Sequence, residues 1–265
     1  MKAVVLARGR GTRMRRQDGA SALTPEQNAM ADRGLKSMIP FRRPFLDYVL
    51  SALADAGCRD ICLVVGPDDD VIRPYYETAP LARVRVTFAV QQEARGTADA
   101  VLATEGFAAG EPFLVLNADN YYPVSAYRAL VALDGPGLPA FHQSTLVGEG
   151  NIDPERVRAF AIVTVDADGI VRDIVEKPDP AMPLDPDPLV SMNVWRFDSR
   201  IFEACRQVAP SPRGELELPN AVRHAVRTMG HRFRAVPVNE GVLDLSRRSD
   251  IPDVERRLAN VEPNP

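Results

Sequence analysis

The sequence predicts an α/β fold: a doubly wound, mixed, mostly parallel sheet with helices on both faces and a β-rich elaboration in the C-terminal half, within a single domain spanning 1–265. Three observations predict it. Up to Asn120, short apolar runs alternate with amphipathic stretches at the spacing of βαβ units. The runs Val4–Ala7, Ile61–Val65 and Phe113–Leu116 lack polar alternation, as strands covered on both faces require. From Tyr127 the pattern changes to extended segments joined by turns, with no second βαβ series, so the second half reads as an elaboration of the first.

Taken in order, Val4–Ala7 is a buried strand that ends in Arg8-Gly9-Arg10-Gly11-Thr12-Arg13-Met14-Arg15-Arg16. Gly9 and Gly11 permit positive φ and close approach of a ligand to the backbone. Their amides, with the charged fork of Arg13, suit phosphate oxygens; the alternative is a tight turn with solvated arginines. Thr24-Pro25-Glu26-Gln27 starts a helix, with Thr24 as N-cap, Gln27 as reciprocal partner and Gly34 closing it. Phe45–Ala56 is an amphipathic helix closed by Gly57, followed by strand Ile61–Val65 and helix Asp68–Glu77. Val84–Val90 is a third strand, and Gln91–Ala100 turns into a helix running to about Glu105. Phe113–Leu116 is a fourth strand, followed by Asn117-Ala118-Asp119-Asn120. Leu138–Thr145 is extended. Arg158–Val165 and Ile170–Val175 form a hairpin that ends at Glu176-Lys177-Pro178. Val190–Phe197 reads as one strand, Ser199–Cys205 and Glu215–Met229 as helices, Phe233–Val238 and Val242–Leu245 as strands, and Asp250–Val261 as a terminal helix.

Composition narrows the function. The net charge is −4, yet residues 1–50 carry ten Lys/Arg against four Asp/Glu. A local basic loop on an acidic body fits a small polyphosphate better than nucleic acid, which takes a wholly basic face. No apolar run approaches the roughly 20 residues of a membrane span, and the N-terminus enters a strand without a secretory pattern. Cys58, Cys62 and Cys205 lack paired-ligand spacing and read as buried free thiols, so a cytoplasmic location is expected. A homo-oligomer is left open.

Asp119 directly follows an apolar strand, where a carboxylate holds a divalent cation or caps the helix near Val124. Asp244 lies in another apolar segment, and two carboxylates on separate strands suit one Mg²⁺ shared with phosphates. Lys36 and Lys177, beside prolines, are surface charges taken alone and phosphate ligands in company with the arginine loop. Gln91, ahead of Gly96, has an amide that reads a base edge or ties a loop. His142, His224 and His231 are scattered and read as structural.

Together these residues resemble the sugar-1-phosphate nucleotidylyltransferases, the NDP-sugar pyrophosphorylases of the glucose-1-phosphate thymidylyltransferase and mannose-1-phosphate guanylyltransferase type. The opening Leu-Ala-Gly-Gly-x-Gly-Thr-Arg pattern is met by Leu6–Arg13, with Lys36 near Pro40. The base-reading segment is Gln91–Ala98, the Gly-Asp-Asn motif Ala118-Asp119-Asn120, the Glu-Lys-Pro motif Glu176–Pro178, and the late aspartate motif Val242–Ser246. The resemblance covers roughly residues 1–260 and implies a Rossmann-like nucleotidyltransferase fold, with 1–125 mainly nucleotide-binding and 126–265 mainly sugar-phosphate-binding. It implies catalytic Arg13, Lys36 and Lys177, the first two on the β- and γ-phosphates. Ala7, Gly9, Gly11, Thr12, Gln91, Gly96 and Thr97 would form the nucleotide site. Glu176, Lys177 and Asn193 would hold the sugar phosphate, and Asp119 and Asp244 would hold Mg²⁺. The implied partners are an NTP and a sugar or cyclitol 1-phosphate, with neither nucleic acid nor membrane. Four departures stand out: Arg8 for the first glycine, a longer segment between Arg13 and Lys36 than short bacterial members carry, Ala161 for a sugar-contacting glycine, and Ser246 for the glycine after the second aspartate. One rival is a non-catalytic sugar-nucleotide sensor on the same fold. The other, a nicotinamide dehydrogenase, lacks its third glycine, since Met14 takes that place.

Overall fold

The computed structural model describes residues 1–9, 11–17 and 23–265; Arg10 of the glycine loop and residues 18–22 lie outside the described residues. The first half runs β1 (Lys2–Leu6), α1 (Pro25–Arg33), α2 (Phe45–Asp55), β2 (Asp60–Val65), α3 (Ile72–Thr78), β3 (Arg85–Val90), α4 (Thr97–Leu102), α5 (Glu105–Ala108), β4 (Phe113–Asn117), β5 (Asn120–Tyr121) and α6 (Val124–Val131). The second half adds β6 (Gly137–His142), α7 (Gln143–Gly148), β7 (Ala161–Val165), β8 (Val171–Glu176), β9 (Leu189–Ser191), β10 (Val194–Phe197), α8 (Ile201–Gln207), α9 (Leu218–Arg227), β11 (Arg234–Val238), β12 (Leu243–Asp244) and α10 (Ile251–Leu258).

Local chemistry sets several boundaries. Thr24 and Gln27 form the expected reciprocal cap of α1, and Gly34 ends that helix at φ 74°. Asp69 accepts from the amides of Ile72 and Arg73, so α3 starts later than the run Asp68–Glu77 suggests.

The large sheet is ordered β3-β2-β1-β4-β10-β6-β9-β7-β8, with β11 also on β6. β3, β2, β1 and β4 are mutually parallel. β10 joins this block antiparallel to β4 and passes the sheet to β6 and the β-rich half. Alternate strand residues face opposite layers. Val5, Leu63 and Leu116 pack with Leu46, Val49 and Leu53 of α2 on one side. Val4, Val64 and Val115 pack with Val101, Phe202 and Val222 on the other.

Four local readings are corrected. The helix after Gln91 is two, α4 and α5. Leu138–Thr145 is extended only to His142, where α7 begins. Arg158 belongs to a 3₁₀ turn (Pro154–Ala159) ahead of the hairpin strand. Val190–Phe197 is broken in two, because Asn193 takes φ 60° between β9 and β10.

Candidate active site

Strand order reverses across β1, with β2 on one side and β4 on the other, and a ligand crevice belongs outside the carboxyl ends at such a point. A cavity of about 450 Å³ lies there, within the size range of small-molecule sites. Every site residue expected from the sequence lines it: Ala7, Gly9, Gly11, Thr12, Arg13, Lys36, Gln91, Gly96, Thr97, Asp119, Glu176, Lys177, Asn193 and Asp244.

The glycine loop is shaped by more than its ligand face. Gly11 has φ 57°, and a Cβ there would lie 2.2 Å from the carbonyl oxygen of Gly34, so this glycine lets the loop sit on the end of α1. Of the two glycines that permit positive φ, Gly9 does not use it, and a Cβ on it would meet nothing within 4 Å among the described residues. Beyond Gly11, Met14 is fully buried as an anchor while Thr12 and Arg13 are exposed at the cavity. The Arg8 guanidinium is tied to backbone at the edge of the cavity. It donates from Nη1 to the carbonyl of Gln91 and from Nη2 to that of Gln92.

At the β3 end, the Gln91 side chain is buried and its Nε2 donates to Gly96 O (2.9 Å) and Asp99 Oδ2 (2.8 Å). Both partners are acceptors, so the amide orientation is fixed and Oε1 remains as the acceptor. Gly96 has φ 127°, and a Cβ there would lie 2.4 Å from Leu216 O, because the segment before α9 crosses the loop closely. Thr97 Oγ1 accepts from Leu218 N at 2.8 Å, so this hydroxyl caps α9 as well as lining the cavity.

At the centre, Lys36 Nζ lies 2.8 Å from Asp119 Oδ2. Asp119 is not a helix cap; Pro123 precedes α6. The β5–β12 ribbon sets Asp244 opposite Asn120, one residue beyond Asp119. Asp244 is buried, with Oδ1 accepting from Asn120 Nδ2 at 2.9 Å and Oδ2 paired with Arg156. Arg156 also pairs with Asp250 at 3.0 Å.

At the β8 end, Lys177 (φ 47°) places Nζ 3.0 Å from Glu176 Oε1. Glu176 Oε2 is buried without a partner among the described residues. Burial raises the Glu176 carboxyl above its ordinary range, against the pull of Lys177. An unpaired buried acceptor facing a polar cavity is suited to a donor from a ligand. Sequence reasoning missed Arg213, Glu215 and Glu217, which also line the cavity; Arg213 holds Glu217 Oε1 through Nε at 3.2 Å. It missed Arg156 as well. A charged run around the glycine of Arg213-Gly214-Glu215 was the available signal.

Hard carboxylate oxygens are the donors Mg²⁺ takes. Asp119 fits that ion, since among the described residues only its Oδ2 is engaged by a side chain. Asp244 joins it only by exchanging a bond to Asn120 or Arg156. Among the described residues no group of three or more His, Cys, Asp or Glu converges to hold a metal ion, so phosphate oxygens would complete a Mg²⁺ shell.

Residues 2–241 match the family model described as nucleotidyl transferase. The chain is 28% identical over 259 residues to a UTP–glucose-1-phosphate uridylyltransferase of Haloferax volcanii, covering 97% of this chain and 96% of that one. It is 30% identical over 265 residues to a glucose-1-phosphate thymidylyltransferase of Streptomyces antibioticus, covering 99% of this chain and 68% of the relative. The fold matches that of a UDP-glucose pyrophosphorylase solved with UDP-glucose, with TM-score 0.76 at 18% identity, over 98% of this chain and 99% of that one.

Proposed function

The chain belongs to the nucleotidyl transferase family and is a sugar-1-phosphate nucleotidylyltransferase; from that premise we propose that it joins a pyrimidine nucleoside triphosphate to a hexose 1-phosphate, releasing pyrophosphate. The observation that carries this reading is the single crevice that gathers Arg13 and Lys36 from the first half with Glu176, Lys177 and Asn193 from the second. The named activities of the uridylyl- and thymidylyltransferase relatives support the base and the sugar.

The sugar phosphate oxygen attacks the α-phosphorus in line with departing pyrophosphate. That nucleophile is already anionic, so no general base is required, and catalysis reduces to positioning and charge neutralisation. Arg13 and Lys36 meet the β- and γ-phosphates. Lys177, with Arg213 nearby, neutralises the sugar phosphate and brings it against the α-phosphorus. Glu176 Oε2 accepts from a sugar hydroxyl, and Asn193 packs beside the sugar. Mg²⁺ would be held by Asp119, with Asp244 behind it, and would neutralise charge on the NTP phosphates. In this reading 1–125 serves mainly the nucleotide and 126–265 mainly the sugar phosphate. The reading extends to the cytoplasm, consistent with three buried free cysteines; among the described residues no helix is long and apolar enough to cross a membrane.

The test is a screen of all NTPs against a panel of sugar 1-phosphates with Mg²⁺, read by pyrophosphate release. Turnover is expected with UTP or dTTP and a hexose 1-phosphate. Nucleotide binding without turnover on any pair would favour the sensor reading instead.

A further inference from the structure

Arg8 stands where the family pattern has glycine, and its side chain makes a strap. It leaves the end of β1, crosses Gly66 just beyond β2, and reaches the carbonyls of Gln91 and Gln92 just beyond β3. The crossing is close: a Cβ on Gly66 would lie 3.0 Å from Arg8 Nε. Both anchoring carbonyls belong to the loop that carries the Gln91 amide. The planar guanidinium is therefore fixed as a wall at this end of the crevice, which it lines.

We propose that Arg8 is the residue that sets nucleobase choice, admitting a one-ring base and rejecting a purine. The inference rests on the nucleotidyl-transfer reading above and goes beyond it. Two filters act in series. Gln91 Oε1, left as an acceptor once Nε2 is committed to Gly96 and Asp99, takes a ring N–H, which uracil, thymine and guanine offer and adenine and cytosine do not. The Arg8 strap then separates uracil and thymine from guanine by size, because it holds its position through two carbonyl bonds rather than yielding as a free side chain would.

The experiment measures dissociation constants for UTP and GTP by calorimetry on the full chain, alongside turnover with each. The wild-type chain is expected to bind UTP at least tenfold more tightly than GTP, about the discrimination one steric contact supplies. Arg8→Ala should shrink that ratio by about tenfold while the KM for the sugar 1-phosphate moves far less. Arg8→Lys, which keeps the charge but gives up the planar fork that holds both carbonyls, should shrink the ratio in the same direction and decides the question if Arg8→Ala does not fold. A wild-type chain that binds GTP as well as UTP overturns the proposal. So does an Arg8→Ala chain whose UTP and GTP constants change by the same factor. Binding is read independently of chemistry, so a wild-type chain that binds UTP selectively but turns over nothing overturns the proposed function and leaves the Arg8 assignment to be decided by the ratios.

Discussion

Lys177 shows how one side chain serves two charges. Its backbone sits in the left-handed region at φ 47°, and its ammonium lies 3.0 Å from Glu176 Oε1 while remaining partly exposed to the crevice. Held this way, it neutralises a buried carboxylate and still has donors for a phosphate. Lys177→Ala is expected to lower kcat/KM for the sugar 1-phosphate by about 100-fold or more, as loss of a preorganised donor to developing charge does. NTP affinity, measured by calorimetry, should move far less. Equal losses for both substrates would remove Lys177 from the sugar-phosphate site. Lys177→Arg should recover only part of the activity, because a planar fork does not replace a point charge in a fixed spot.

At the scale of elements, the glycine loop separates into a structural glycine and an open one. Gly11→Ala would place a Cβ against the Gly34 backbone at positive φ, and should cost about 2–3 kcal/mol or more, read as a lower denaturation midpoint. Gly9→Ala meets no neighbour within 4 Å among the described residues and should stay within about 0.5 kcal/mol of the wild type. Similar midpoints for the two variants would contradict this division. The sequence could not separate these glycines, because what distinguishes them is the packing of α1 from elsewhere in the chain. The β1–β4 block was legible, since unbroken apolar runs and the Thr24–Gln27 cap are local signals. The break at Asn193 was not, because a largely apolar run hides one residue whose carbonyl is held by Tyr122 across the fold. Arg156 and Arg213 were missed for the same reason: ion pairing with Asp244 and Glu217 is a tertiary property that spacing does not display.

For the whole molecule, the two halves share one sheet through β10, and their layers bury thiols on both faces and phenols on one. Burial pushes the Cys58 and Cys62 thiols up to about 11 and Cys205 up to about 12, from an ordinary value of 9.0. Burial likewise raises Tyr76, Tyr122 and Tyr127 well above 10.0. The sign follows from linkage. An unfolded chain releases these protons as pH rises past 9.0 while the native chain keeps them, so the native state binds more protons and stability falls with rising pH. The contribution is present in full below the unfolded values, and each thiol withdraws up to about 1.4 kcal/mol per pH unit between its unfolded and folded pKa. Denaturant midpoints should therefore hold level near pH 8 and drop between about pH 9 and 11. A thiol reagent should label the cysteines only after unfolding, since a buried neutral thiol is a poor nucleophile. Midpoints that stay level through pH 11, or rapid labelling of the native chain, would show that these thiols are not sealed in the core. Replacing Cys205 with alanine separates the two parts of the effect: its cavity should lower the midpoint at every pH, while the alkaline slope should flatten because one of the six groups no longer titrates.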